Sequence, residues 1–303
     1  MHGGALTIFP DATPPSAALA TEIPPTPPLV GEDLSQQAYG LICQILKDGQ
    51  DFELEGYKDL CIKRRIAARI RMLGMDDPER YVALLQESAQ EQVQLLEALT
   101  IHVSQFFRNP STFALLEKRI LPELLLQARN NNSKLRIWSA GCAGGEEPYS
   151  LALLCQELLQ ADDLLSIVAT DISADILRKA KQAFYIKTRV VEVPEALLER
   201  YFVALANGYQ LNAEIQHRVR FYRHDILIEQ PNFRVDLLLC RNLLIYLSRP
   251  QQERVLRMLA KALLPGGYLV LGRAETLVAG VRELFRCIDP AERIYQRRAN
   301  TEQ

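Results

Sequence analysis

Beyond Pro110, short apolar runs alternate with amphipathic helical stretches, and no other feature of the chain constrains its fold as tightly. Leu135 to Ser139, Ser166 to Thr170, Val219 to Tyr222, Val235 to Leu239 and Tyr268 to Leu271 are apolar segments of strand length. A strand covered on both faces needs such a run, because alternate side chains both meet core. With helical patterns separating most of them, the alternation predicts a doubly wound, mostly parallel α/β sheet, whose ligand site lies beyond the carboxyl ends of the strands. One connection is too long for this scheme. Between the helix ending near Phe184 and the strand starting near Val219 a simple loop needs about two to six residues, yet a helix-like Pro194 to Phe202 intervenes. An inserted subdomain is expected at about residues 185–217, with a small antiparallel hairpin through Gly208, Tyr209 and Leu211.

Ahead of this region the pattern is helical. Ala38, Leu41, Ile42, Ile45 and Leu46 recur at helix spacing, and Ile62, Ile66, Ile70 and Leu73 form a second stripe, with Arg64, Arg65 and Arg71 projecting elsewhere. Gly74 suits a C-cap, and Asp77-Pro78 a capped start for the next helix. The reading is a helical N-terminal domain over residues 33–109 and an α/β domain over 110–303. Residues 1–32, with Pro10, Pro14, Pro15, Pro24, Pro25, Pro27 and Pro28 among small residues, read as a disordered tail rather than a signal peptide.

Composition removes several function classes. A formal charge of −2 provides no overall field favouring nucleic acid or an anionic membrane. No apolar run approaches the roughly eighteen residues of a membrane span, so no membrane insertion is expected. The 6 cysteines contain no C-x-x-C pair and the 4 histidines do not cluster with them, which predicts a reduced, cytoplasmic protein without bound metal.

Polar residues gather at the strand ends. Ser139-Ala140-Gly141-Cys142-Ala143-Gly144-Gly145-Glu146-Glu147-Pro148 is a glycine-rich turn between strand and helix. Small residues allow close ligand approach, although such turns also serve dinucleotides or simply pack tightly. A Glu inside the turn suits a cationic ligand better than a pyrophosphate. Asp171 ends the next strand, where a carboxylate suits ribose hydroxyls; Asp171 or Ser173 as a plain helix N-cap is the competing reading. His224-Asp225-Ile226 and Cys240-Arg241-Asn242 follow two further strands, and together these ends fit a nucleoside cleft.

Read in order, Arg64-Arg65-x-x-x-Arg69, Ser104-Gln105-Phe106-Phe107-Arg108, Trp138 to Cys142, Gly145-Glu146-Glu147-Pro148-Tyr149-Ser150, Ala169-Thr170-Asp171-Ile172, Cys240-Arg241-Asn242 through Tyr246 and Leu264-Pro265-Gly266-Gly267 resemble the chemotaxis receptor methyltransferase (CheR) family, from about Phe52 to Arg297. The resemblance implies a class I methyltransferase (Rossmann-like) sheet, an α-helical N-terminal domain and a small inserted antiparallel β-subdomain where the excess residues fall. It implies S-adenosylmethionine as cofactor and S-adenosylhomocysteine as product. The implied cofactor contacts are His102, Ser104, Arg108, Glu146, Asp171, Asp225, Ile226, Cys240 and Arg241, with Ala140 and Cys142 of the glycine turn; Arg108 and Tyr246 would lie nearest the transferred methyl. Ser104 stands where the family pattern has threonine, which keeps the hydroxyl, and Ala143-Gly144 replace a more polar pair.

The implied reaction is methyl esterification of glutamate side chains in the cytoplasmic domain of chemoreceptors, by a monomer. Arg64, Arg65, Arg69 and Arg71 would ordinarily be a solvated helix face; the resemblance makes them candidates for binding acidic receptor helices. Two rival functions are a methyltransferase acting on another protein or a small molecule, and a cofactor-binding module without turnover. Arg108 and Tyr246 argue against the latter, and the basic helical domain against a small-molecule acceptor.

Overall fold

The computed structural model describes residues 34–299 apart from residues 51, 53, 55 and 100–103. The proline-rich stretch expected as a tail, and the contact expected at His102, lie outside the described residues.

Helices α1 (Gln36–Gln50), α2 (Asp59–Met72), α3 (Pro78–Glu87) and α4 (Ala89–Leu99) build the N-terminal core. Ile62, Ile66 and Ile70 are buried as their spacing requires, each contributing about 1.5 to 3 kcal/mol relative to exposure. Leu73 falls past the helix end and is exposed. Gly74, at φ +69°, donates its N–H to the Arg71 carbonyl, and Asp77 Oδ1 accepts from Glu79 N at 2.9 Å as an N-cap.

After α5 (Pro110–Leu115), a π-helical turn (Leu116–Ile120) and α6 (Leu121–Asn130), the sheet begins. Pro122 accounts for the π turn, since proline inside a helix clashes with the carbonyl four residues back. Strands β1 (Leu135–Ala140) and β2 (Leu165–Asp171) flank α7 (Glu146–Leu158), and α8 (Ala174–Gln182) follows β2. Next comes the insertion, in which β3 (Phe184–Tyr185), α9 (Glu195–Tyr201), β4 (Phe202–Leu205) and β5 (Gly208–Leu211) form a three-stranded antiparallel sheet ordered β3-β5-β4. The hairpin expected there is β4 paired with β5, from Phe202 opposite Leu211 to Leu205 opposite Gly208.

After α10 (Ala213–Gln216), strands β6 (Val219–Arg223) and β7 (Val235–Cys240), helix α11 (Arg249–Ala262) and strands β8 (Leu263–Leu271), β9 (Phe285–Asp289) and β10 (Ile294–Arg297) complete a sheet ordered β6-β2-β1-β7-β8-β10-β9. The first five in that order run parallel, and β10 and β9 are antiparallel. Both faces are covered, with Ile137, Ile167, Leu237 and Val270 in one core and Trp138, Leu238 and Leu269 in the other, which is why the strands read as continuous apolar runs. Pro265-Gly266-Gly267 lies inside β8, where the pairing register with β7 shifts. Chain order reverses between β1 and β7, so the crevice of this doubly wound sheet opens at their carboxyl ends.

Candidate active site

That crevice is a cleft of about 860 Å³ including its mouth, with an adjoining lobe of about 580 Å³ that shares Gly141, Ala143, Arg241, Asn242 and Tyr246. One wall comes from the strand ends. The opposite wall comes from the helical domain, through Phe52, Tyr57, Ile62, Arg65 and Leu99.

The glycine turn is fastened to β2: Gly141 N and Cys142 N donate to the Thr170 carbonyl at 2.8 and 2.9 Å. Gly141 has φ +72°, a conformation that strains any residue with a Cβ, and a Cβ there would also push aside the Leu243 side chain, whose Cδ1 lies 2.5 Å away. Asp171 Oδ2 accepts from Ala143 N at 2.9 Å and Oδ1 from Ser173 N at 3.0 Å. The N-cap of α8 is Ser173, whose hydroxyl accepts from Ile176 N at 3.3 Å, which leaves Asp171 facing the cleft. A carboxylate has about four acceptor positions, enough to take ribose hydroxyls beside these backbone donors.

Asp225 and Ile226 line the same end of the cleft. Burial raises the Asp225 carboxyl above its ordinary range, against the lowering effect of the Leu227 N–H it accepts. Burial lowers the His224 imidazole and keeps it neutral; its ring stands edge-on to Trp138 at 5.6 Å. The Tyr57 hydroxyl is held far above its usual value, by burial first and then by the Asp225 and Asp171 carboxylates, so it stays protonated.

In the adjoining lobe Arg108 sits on a turn whose neighbours Phe107 and Asn109 have φ +50° and +63°. Such left-handed non-glycine residues cost about 1 to 3 kcal/mol each and persist where the surroundings hold them. Here Phe107 N donates to Ser150 Oγ at 2.9 Å, and Arg241 Nη2 donates to the Arg108 carbonyl at 2.7 Å and to Asn109 Oδ1 at 2.8 Å. Arg241 is itself buried over the Phe113 ring and paired with Glu147 at 3.2 Å, while Ser139 Oγ donates to the other Glu147 oxygen at 2.8 Å. Both Phe106 and Phe107 are core rings, packed edge-on against Tyr185 and Phe113 respectively.

Tyr246 ends a 3-10 turn (Leu244–Tyr246) hung from Glu275, whose buried carboxylate accepts from Asn242 N at 2.9 Å, Ile245 N at 3.2 Å and Gly272 N at 2.6 Å. The structure thus brings Ser104, Arg108, Cys142, Asp171, Asp225, Ile226, Arg241 and Tyr246 to one cleft. Ala140 and Cys240 are buried at the ends of β1 and β7, and Glu146 turns away to Arg189 at 3.6 Å; none of these three side chains lines it. Their neighbours Glu147 and Asn242 do; the sequence reading includes both in its strand-end motifs without assigning either a contact, and it passes over Tyr57. A one-residue step along a helix turns a side chain by about 100°, so a paired Glu-Glu does not say which member faces the ligand.

The basic residues of α2 separate. Arg65 reaches the cleft, Arg64 and Arg71 are exposed, and Arg69 makes a two-bond pair with Glu91 at 2.7 and 2.8 Å. Glu91 also accepts from Tyr81 at 2.8 Å. A guanidinium committed to a carboxylate in this way is structural, which removes Arg69 from the expected receptor-facing set.

Residues 102–294 match the family described as CheR methyltransferase, SAM binding domain, and residues 37–100 match CheR methyltransferase, all-alpha domain. The chain is 32% identical over 243 residues to the chemotaxis protein methyltransferase of Listeria monocytogenes, covering 80% of this chain and 91% of that protein. It is 31% identical over 260 residues to the chemotaxis protein methyltransferase of Salmonella typhimurium, covering 82% and 87%. An uncharacterized 104.1 kDa protein of Rhodobacter capsulatus is 36% identical over 263 residues, which are 86% of this chain and 27% of that longer protein.

Proposed function

The chain belongs to the CheR methyltransferase family, S-adenosylmethionine-dependent enzymes of chemotaxis, and from that premise we propose that its acceptors are glutamate side chains in the cytoplasmic domains of chemoreceptors. The observation that carries this reading is the makeup of the reacting lobe. Arg108 and Tyr246 face it, and among the described residues lining it there is neither histidine nor lysine. Burial keeps the Cys142 thiol protonated, and the Glu147 carboxylate is engaged by Arg241 and Ser139. Described lining residues that offer no ready base suit an acceptor that arrives ionised. A glutamate carboxylate, with pKa of about 4.3, does so at neutral pH, whereas a lysine acceptor would first have to lose a proton.

S-adenosylmethionine supplies a methyl group on a positively charged sulfur. The residues present fit it: Asp171 at the ribose position, Asp225 and Ile226 towards the base, the bare turn at Gly141 and the hydroxyl-bearing Ser104 near Arg108. The protein's task is then alignment and exclusion of water. Arg108 orients carboxylate oxygens, and Tyr246 offers a hydroxyl beside it. Too strong a guanidinium grip would blunt the nucleophile, which favours a positioning role. Exposed Arg64 and Arg71, with Arg65 at the cleft edge, would steer an acidic receptor helix. Receptor signalling domains place this work in the cytoplasm. No helix among the described residues is long and apolar enough to cross a membrane.

The deciding experiment transfers labelled methyl from S-adenosylmethionine to a purified receptor cytoplasmic fragment and then applies mild alkali. Methyl esters release the label as volatile methanol, and replacing the acceptor Glu by Ala abolishes uptake. Alkali-stable label would sink the glutamate assignment and leave the cofactor assignment standing.

A further inference from the structure

The turn presenting Arg108 is gripped by two arginines, and one of them comes from the inserted subdomain. Arg241 holds its far side through the Arg108 carbonyl and Asn109. On the near side the Arg189 guanidinium donates to the Ser104 carbonyl, and Phe106 N donates back to the Arg189 carbonyl at 3.2 Å. Arg189 belongs to a 3-10 turn (Lys187–Arg189) just after β3. Its charge lies 3.6 Å from Glu146, whose side chain is 4% exposed and so depends on a nearby cation. The Phe106 ring completes the joint, edge-on to Tyr185 at 4.8 Å and to Phe202 at 5.4 Å, both residues of the insert's strands. The left-handed Phe107 stands between the two grips, and the left-handed Asn109 lies within the second.

We propose that Arg189 is a positioning residue for methyl transfer, fixing the Ser104–Arg108 segment from the side of the insert so that the Arg108 guanidinium is set before the acceptor arrives. This rests on the proposed function, in which Arg108 lies at the reacting centre. A turn with two left-handed residues relaxes once one support is withdrawn, and Arg108 then samples orientations that do not align the acceptor oxygen. The Arg189 side chain is 34% exposed, so its removal takes away a grip and leaves the hydrophobic core in place.

The test is a double-substitution cycle in the full chain with a receptor cytoplasmic fragment as acceptor. Arg189→Ala should lower kcat about tenfold with KM for the fragment changed less than about twofold. In an Arg108→Ala background the same substitution should change kcat by less than about twofold. Arg189→Lys should recover little, since one ammonium cannot replace the planar fork shared between Glu146 and a carbonyl. If Arg189→Ala fails to fold, Arg189→Gln, which is neutral and two bonds too short to reach the Ser104 carbonyl and Glu146 as the guanidinium does, carries the same cycle. Equal losses in both backgrounds, or unchanged kcat in the Arg189 variants where Arg108→Ala is impaired, would overturn the inference and leave the role of Arg108 standing. Unchanged turnover in Arg108→Ala would overturn both.

Discussion

Arg65 of α2 sits over the Tyr246 ring at the cleft, its guanidinium carbon 4.6 Å from the ring centroid. The same side chain donates to the Leu99 carbonyl, so the contact is anchored at both ends. Stacking of this kind is worth about 0.5 to 2 kcal/mol depending on desolvation. It joins a helix of the N-terminal domain to the residue expected nearest the methyl group, and it separates Arg65 in role from its exposed neighbours Arg64 and Arg71.

That separation gives the first expectation. Reversing Arg64 and Arg71 to Glu should raise KM for receptor fragment about tenfold and weaken the dependence of the rate on salt, with cofactor affinity unchanged. Identical receptor kinetics before and after reversal would return these residues to a solvated face.

Asp171→Ala should weaken binding of S-adenosylhomocysteine. The carboxylate is buried, and losing a charged hydrogen-bond partner costs about 1.5 to 3 kcal/mol, or roughly ten- to a hundredfold in affinity. Calorimetry on a folded variant checks this; an unchanged dissociation constant would move the ribose site elsewhere.

Arg108→Ala should reduce turnover at saturating cofactor and receptor by about a hundredfold, the scale on which misplacement at a reacting centre operates. Arg108→Lys should recover little of it, because a point charge does not reproduce a planar fork. Rates near those of the unaltered chain would take Arg108 off the catalytic list.

Asp225 links stability to pH. Its folded-state pKa is raised by burial, so its contribution to stability is fully present below the unfolded value of about 3.9 and is lost as pH rises through the folded value. Asp225→Asn keeps an oxygen for the Leu227 N–H now accepted at 2.8 Å and has no charge to bury. Its melting temperature should exceed that of the unaltered chain at pH 7 to 8, and the gap should close towards pH 4. A gap that widens on acidification would contradict the burial argument.

Much of the architecture was legible because the central parallel strands are covered on both faces and leave largely apolar runs, whereas the edge strand β6 alternates and carries Arg220 and Arg223. β9 and β10 were missed. β9 is a sheet edge with Arg286 and Cys287 exposed, so half of its pattern is written in polar residues. At the site, Asp171 and the glycine turn announced themselves by position between strand and helix. Glu147, Asn242 and Tyr57 did not, since their role depends on which way a helix or loop turns. Arg69 looked like its neighbours on paper, and its partner Glu91 lies on α4, a helix removed in sequence.

The short antiparallel bridge of Tyr57 with Leu247 runs beside two further bonds, Lys58 N to the Tyr246 carbonyl at 2.9 Å and Ser248 N to the Gly56 carbonyl at 2.7 Å. Backbone pairing is indifferent to side-chain identity but strict about spacing. The helical domain is therefore not a detachable module: a chimaera importing this domain from a relative keeps the pairing whatever side chains residues 58 and 248 carry, provided Gly56 at φ +99° and the cleft-lining Tyr57 and Tyr246 are retained, whereas a single-residue insertion or deletion in either strip shifts the wall of the cleft against its floor.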